Sequence, residues 1–143
     1  MVDSSIDGNF LLTKARDCLE LAYAPYSNFQ VAAAVLDEHG RIFTGINIEN
    51  ASYGLTICAE RVAIFSAIAA GSRQITAVAV TAQKLSLITP CGACRQVMVE
   101  FCTASTPVFL NAGKGCFRAT TVGALLPETF TQADLCSSML SSS

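Results

Sequence analysis

Histidine is nearly absent from this chain: His39 stands alone, inside Asp37-Glu38-His39-Gly40, which reads as a turn. A general base here cannot easily be an imidazole, so proton transfer falls to a carboxylate. Charge is scarce as well. Charged residues make up 14% of the chain, the net charge is −2, and no cluster of Lys or Arg occurs. That argues against a protein that grips a phosphate backbone. No apolar run is long enough to span a bilayer, and no charged-then-apolar leader opens the sequence. We therefore expect no nucleic-acid partner, no membrane, and a cytoplasmic location.

What the chain does have is apolar bulk and thiols. Hydrophobic residues make up 52% of 143 residues, enough for one domain with one real core. We read 1–143 as a single domain, with a tail from about 136 that is nearly all serine and expected to be disordered. So few charges also suggest that some surface is buried between subunits. The seven cysteines are odd in number and include a Cys-x-x-Cys. With no leader, metal binding in a reducing cytosol is favoured over a disulfide framework.

The order of elements follows from periodicity and turn signals. Asp7 can cap a helix over about Gly8 to Tyr23, with Phe10, Leu11, Ala15, Cys18, Leu19 and Ala22 on its inner face and Pro25 as its end. Gln30 to Leu36 and Arg41 to Ile48 read as a hairpin. Helical spacing resumes after Cys58 with Val62, Ile64, Phe65 and Ile68, and Gly71 stops it. Ile75 to Thr81 is a buried strand, so this helix makes a parallel crossover. A second helix runs from Cys91 to Cys102, with Val97, Met98 and Phe101 on one side. Pro107 to Leu110, a Gly-rich turn, Cys116 to Thr121 and a short turn of helix at Val122 to Leu126 complete the chain. The pattern predicts an α/β fold, a mixed sheet with helices on both faces.

The chemistry sits at two of these helix starts. Cys58-Ala59-Glu60-Arg61 and Pro90-Cys91-Gly92-Ala93-Cys94 together offer three thiols and one carboxylate. Three protein ligands with an open fourth position is the arrangement of a catalytic zinc, whereas structural sites close all four. Cysteines at helix N-termini have lowered pKa values, and thiolate is the form that binds metal. Glu60, two residues after Cys58, would point elsewhere on a helix and is free to handle protons beside the metal. The bland alternatives are a structural zinc or buried free thiols, with Glu60 and Arg61 as ordinary solvated helix residues. Cys18, Cys102, Cys116 and Cys136 have no partner motif. We take the first three as small core residues.

These segments resemble the zinc-dependent cytidine deaminases, in particular the small homotetrameric type. Ala24-Pro25-Tyr26-Ser27-Asn28-Phe29, Gly45 to Tyr53 (Gly-Ile-Asn-Ile-Glu-Asn-Ala-Ser-Tyr) and Leu125-Leu126-Pro127 extend the likeness in order and spacing, from the first helix to about Leu135. The resemblance implies a three-layer α/β/α sandwich around a mixed five-stranded sheet whose last two strands are antiparallel. It implies one Zn²⁺ per subunit on Cys58, Cys91 and Cys94, with Glu60 as catalytic proton carrier and Arg61 compensating the charge at zinc. It implies that Asn47 and Glu49 hold the sugar, that Phe29 lines the pyrimidine pocket and that the Ala51 backbone contacts the site. Tyr53 and Phe130 would reach it from neighbouring subunits of a homotetramer. The implied reaction is hydrolytic deamination of cytidine and deoxycytidine to uridine and deoxyuridine with release of ammonia, in pyrimidine salvage. Two rivals stay open: a related cytosine compound or nucleic acid as substrate, and a zinc-stabilised binding module without chemistry. The Asn47/Glu49 pair favours a free sugar. A binding module leaves the open coordination position and Glu60 unexplained.

Overall fold

A computed structural model describes residues 6–83, 88–113 and 115–134. The elements are α1 (Gly8–Cys18), β1 (Val31–Asp37), β2 (Ile42–Ile46), α2 (Ala59–Ala69), β3 (Ile75–Ala82), α3 (Gly92–Phe101), β4 (Pro107–Gly113), β5 (Cys116–Thr121) and α4 (Val122–Leu125). The sheet order is β2-β1-β3-β4-β5. β1 pairs antiparallel with both β2 and β3, β3 pairs parallel with β4, and β5 returns antiparallel to β4. β2 and β3 thus run the same way with β1 between them, and α2 makes the parallel crossover expected of it. The second crossover, β3-α3-β4, is parallel too. The tail expected from about 136 lies outside the described residues.

The alternation of β1, β3 and β4 sorts side chains to two faces. Ala33, Val35, Val78, Val80, Val108 and Leu110 face α2 and α3. Ala32, Ala34, Ala77, Ala79 and Phe109 face α1, where they meet Leu11, Leu12 and Ala15. The alanines on that second face let α1 lie close, and Leu12, fully buried, anchors it. Truncating Leu12 to Ala would cost about 2–5 kcal/mol. On the other face the contact is closer still. A Cβ at Gly45 of β2 would stand 2.4 Å from the Ala59 carbonyl oxygen and 2.4 Å from the Ala63 nitrogen, both backbone atoms of α2. Only glycine lets the first turn of α2 press on the strand.

Three expectations are corrected. α1 ends at Cys18 and tightens into a 3₁₀ turn at Leu19–Leu21, short of Tyr23. Tyr23 instead pairs in extended form, its N–H donating to Asn47 O and its carbonyl accepting from Glu49 N–H. The chain leaves the helix to make those bonds, before Pro25 is reached. Phe10, expected on the inner face of α1, is 53% exposed. It shares helical spacing with buried residues but lies outside the buried arc. Cys116 is exposed and so is no core residue, because β5 is an edge strand with one covered neighbour.

At the β1–β2 turn the Asp37 carboxylate is buried and collects donors. Oδ1 accepts from the backbone N–H of His39 (2.9 Å) and Arg41 (2.8 Å). Oδ2 accepts from Arg41 Nε (2.9 Å) and Ser72 Oγ (2.7 Å). His39 itself is exposed in the turn, where it was expected.

Candidate metal centre

Both crossover helices start at the same end of the sheet, and each starts on a cysteine. Cys58 is the N-cap of α2 and Cys91 the N-cap of α3, both in extended backbone conformation. Neither sulfur caps its own helix. They turn toward each other instead. Cys58 Sγ and Cys91 Sγ stand 3.7 Å apart, Cys91 Sγ and Cys94 Sγ 3.5 Å apart, and all three sulfurs lie within 4.8 Å of one another. Around a tetrahedral zinc with Zn–S of ~2.3 Å, sulfurs stand about 3.8 Å apart. The three thiols therefore fit a zinc ion in number, softness and spacing. The two helix N-termini add partial positive charge behind the sulfurs.

The thiols do not ionise alike. Cys58 is pulled down to about 5, chiefly by its hydrogen bond with Cys94, with Arg61 and Cys91 assisting against burial. Cys94 is raised by its hydrogen bond with Cys58 and by burial. Without an ion, the first proton to leave makes the next harder to remove. Arg61 donates through Nη2 to Cys58 Sγ at 3.4 Å, and this contact holds its guanidinium charged. Its Nε is buried with no hydrogen-bond partner among the described residues.

Glu60 lies in the first turn of α2 and is 4% exposed. Burial pushes its carboxyl up to about 7, and the charge on Cys58 adds to this; its own backbone N–H, Arg61 and Cys94 pull the other way. A carboxyl near neutrality exchanges protons in both directions at physiological pH.

Of the other expected site residues, Asn47, Glu49 and Tyr53 meet the 24–29 segment. Asn47 is 9% exposed, and its amide is already engaged: Oδ1 accepts from Val31 N–H (2.9 Å) and Nδ2 donates to Phe29 O (2.8 Å). One Nδ2 hydrogen is left to offer. Glu49 accepts through Oε1 from the N–H groups of Tyr26 (3.0 Å) and Ser27 (3.1 Å), and through Oε2 from Ser27 Oγ. Those donors hold its carboxyl below the usual range, the Ser27 hydroxyl most of all. Asn47 and Glu49 thus brace the 24–29 segment, in which Asn28 takes a positive φ of 54° and Phe29 is half-buried. Tyr53 is 78% exposed and meets Tyr26 edge to face, with ring centroids 6.4 Å apart. Tyr26, Ser27, Glu49, Asn50, Tyr53 and Thr56 wall a cavity of about 330 Å³. Ala51 is exposed between them. Phe130, 63% exposed, sits on the segment after α4.

Ser27 was unmarked as the partner of Glu49, because 22 residues separate them. Arg95 was equally unmarked, although it follows Cys94 directly. Its Nε donates to Pro90 O at 2.8 Å and its Nη1 to Leu125 O at 2.7 Å.

Residues 7–110 match the family described as the cytidine and deoxycytidylate deaminase zinc-binding region. A cytidine deaminase of Halalkalibacterium halodurans is 49% identical over 91% of this chain and 98% of its own length. A probable cytidine deaminase of Dictyostelium discoideum is 44% identical over 85% of this chain and 82% of its own. Among solved structures, cytidine deaminase from Burkholderia pseudomallei superposes with a TM-score of 0.82 at 48% identity, covering 87% of this chain and all of that one.

Proposed function

The chain belongs to the cytidine and deoxycytidylate deaminases, and from that premise we propose that it hydrolyses cytidine and deoxycytidine to uridine and deoxyuridine with release of ammonia. The observation that carries this reading is the convergence of three thiols at two helix N-termini beside a buried carboxylate. Bound there, zinc supplies a Lewis acid that makes water nucleophilic at neutral pH.

Glu60 moves the protons. It takes one from the attacking water and hands it to ring N3, which makes C4 more electrophilic. The water's oxygen bonds to C4, giving a tetrahedral carbon that bears both oxygen and amine. Glu60 then carries the oxygen's remaining proton to the amine, the C4–N bond breaks, and ammonia leaves as the C4 carbonyl forms. A single carboxyl with a pKa of about 7 is suited to acting as base and acid in turn. Arg61 offsets charge: three thiolates around Zn²⁺ carry a net −1, and a guanidinium hydrogen bond draws density off Cys58.

Glu49 and Asn47 hold the sugar through their unused lone pair and N–H, beside the cavity at Tyr53. Phe29 lines the base pocket and the Ala51 backbone contacts it. Tyr53 and Phe130 complete the site of a neighbouring subunit in a homotetramer. Supporting this are large apolar side chains left exposed on one chain, among them Tyr53, Leu55, Leu21 and Phe130. The enzyme works in pyrimidine salvage in the cytoplasm, a reading supported by a thiol cluster suited to holding metal in a reducing compartment.

Incubation with cytidine should release one ammonia per uridine formed, read together with the fall in ultraviolet absorbance. Chelation should abolish turnover and added zinc restore it. Protein loaded with one zinc per chain that releases no ammonia from either nucleoside would sink the proposal.

A further inference from the structure

The segment after α4 has little structure of its own. α4 is four residues long, and the chain beyond it passes Glu128 at a positive φ of 52° before reaching Phe130. The last carbonyl of α4 and that of Phe130 are caught by two consecutive side chains of α3. Arg95 joins Leu125 O to Pro90 O, and Pro90 is the residue just before the ligand Cys91. Gln96 Nε2 donates to Phe130 O at 2.9 Å. Both side chains follow Cys94 immediately, so the turn that presents two metal ligands also holds the segment that presents Phe130.

We infer that Arg95 and Gln96 are positioning residues that set the place of Phe130 for substrate binding. This rests on the reading above that Phe130 packs on nucleoside in a neighbouring subunit. Arg95 fixes the base of the segment against the metal turn, and Gln96 fixes the residue itself through its backbone. Neither need touch substrate. The chemical step is left alone, so their loss should appear in KM and not in kcat or zinc content. A guanidinium spans two carbonyls at once, whereas lysine reaches one, so Arg95→Lys should lie between wild type and Arg95→Met.

A double-mutant cycle between Gln96→Leu and Phe130→Ala tests this. Losing one hydrogen bond of this kind should raise KM about 2- to 10-fold. Gln96→Glu keeps the shape without the donor and should match Gln96→Leu. We expect kcat within about twofold of wild type and one zinc per chain, with no further rise in KM when Gln96→Leu is added to Phe130→Ala. If Phe130→Ala raises KM while Gln96→Leu only lowers the melting temperature, the latch is structural and the inference fails. If the two KM effects multiply, Gln96 does not act through Phe130, and it fails again. If Phe130→Ala itself leaves KM unchanged, the role given to Phe130 is wrong and the latch falls with it.

Discussion

Two carboxylates are buried among the described residues, one at each end of the sheet, and they have opposite fates. Glu60 is 4% exposed and Asp37 is 2% exposed. Burial raises the pKa of both. At Asp37, Ser72, Arg41 and the backbone of His39 more than offset it, and the carboxyl is held well below the usual range. At Glu60 the opposing contacts fall short, and the carboxyl rises to about 7. The lesson is that depth does not assign a role. Asp37 is a knot that ties the β1–β2 turn to the end of α2. Glu60 is left with a carboxyl near neutrality, which suits the proton carrier proposed for it, at a cost in stability that the rest of the core offsets.

The sharpest way to separate the two is to neutralise each in turn. Glu60→Gln should keep one zinc per chain and lose more than ~10⁴-fold in kcat, beyond the usual effect of one general acid–base residue because it serves several transfers. Activity near wild type would remove Glu60 from the mechanism, and loss of zinc would make its role structural.

Asp37→Asn should do the reverse. It strands the Arg41 and Ser72 donors and should cost about 2–4 kcal/mol in chemical denaturation, with kcat close to wild type. Its pH signature follows from the direction of the shift. The folded carboxyl has the lower pKa, so its stabilisation is complete above the unfolded value of ~3.9 and is lost as pH falls below it. The gap in stability between wild type and Asp37→Asn should therefore close in acid. A gap that stays constant to the lowest pH tolerated would show that Asp37 is not ionised in the fold.

A smaller effect tests the charge balance at the metal end. Arg61→Gln should lower activity about 10- to 100-fold. Combined with Cys58→His, which removes one negative charge from the metal, it should cost less than the two single losses together. Simple additivity would rule out charge compensation.

The metal end was legible in the sequence because its information is local. Cys-x-Glu and Pro-Cys-x-x-Cys are short, and each sits where a helix must begin. The Asp37 knot was not legible, since Ser72 lies 35 residues away and no pattern joins the two. The central strands were read well because each is a continuous apolar run, buried on both faces. Helix faces were read less well. On α2 the residues that touch the core backbone are Ala59, Ala63 and Ala67, while Phe65 points out. Apolarity alone does not separate Ile64, which is fully buried among those alanines, from its neighbour Phe65, which is not. The place of Phe130 was equally hidden, since its backbone anchor is 34 residues upstream at Gln96.

The contact between Gly45 and α2 also determines how this chain can vary. Thr44, on the same edge strand, is exposed and open to replacement, whereas position 45 is closed even to alanine. The atoms it would strike are main-chain atoms on either side of Glu60, so no change of side chain elsewhere can make room. A library that opens position 45 will therefore spend its diversity on chains in which α2 is displaced from the sheet.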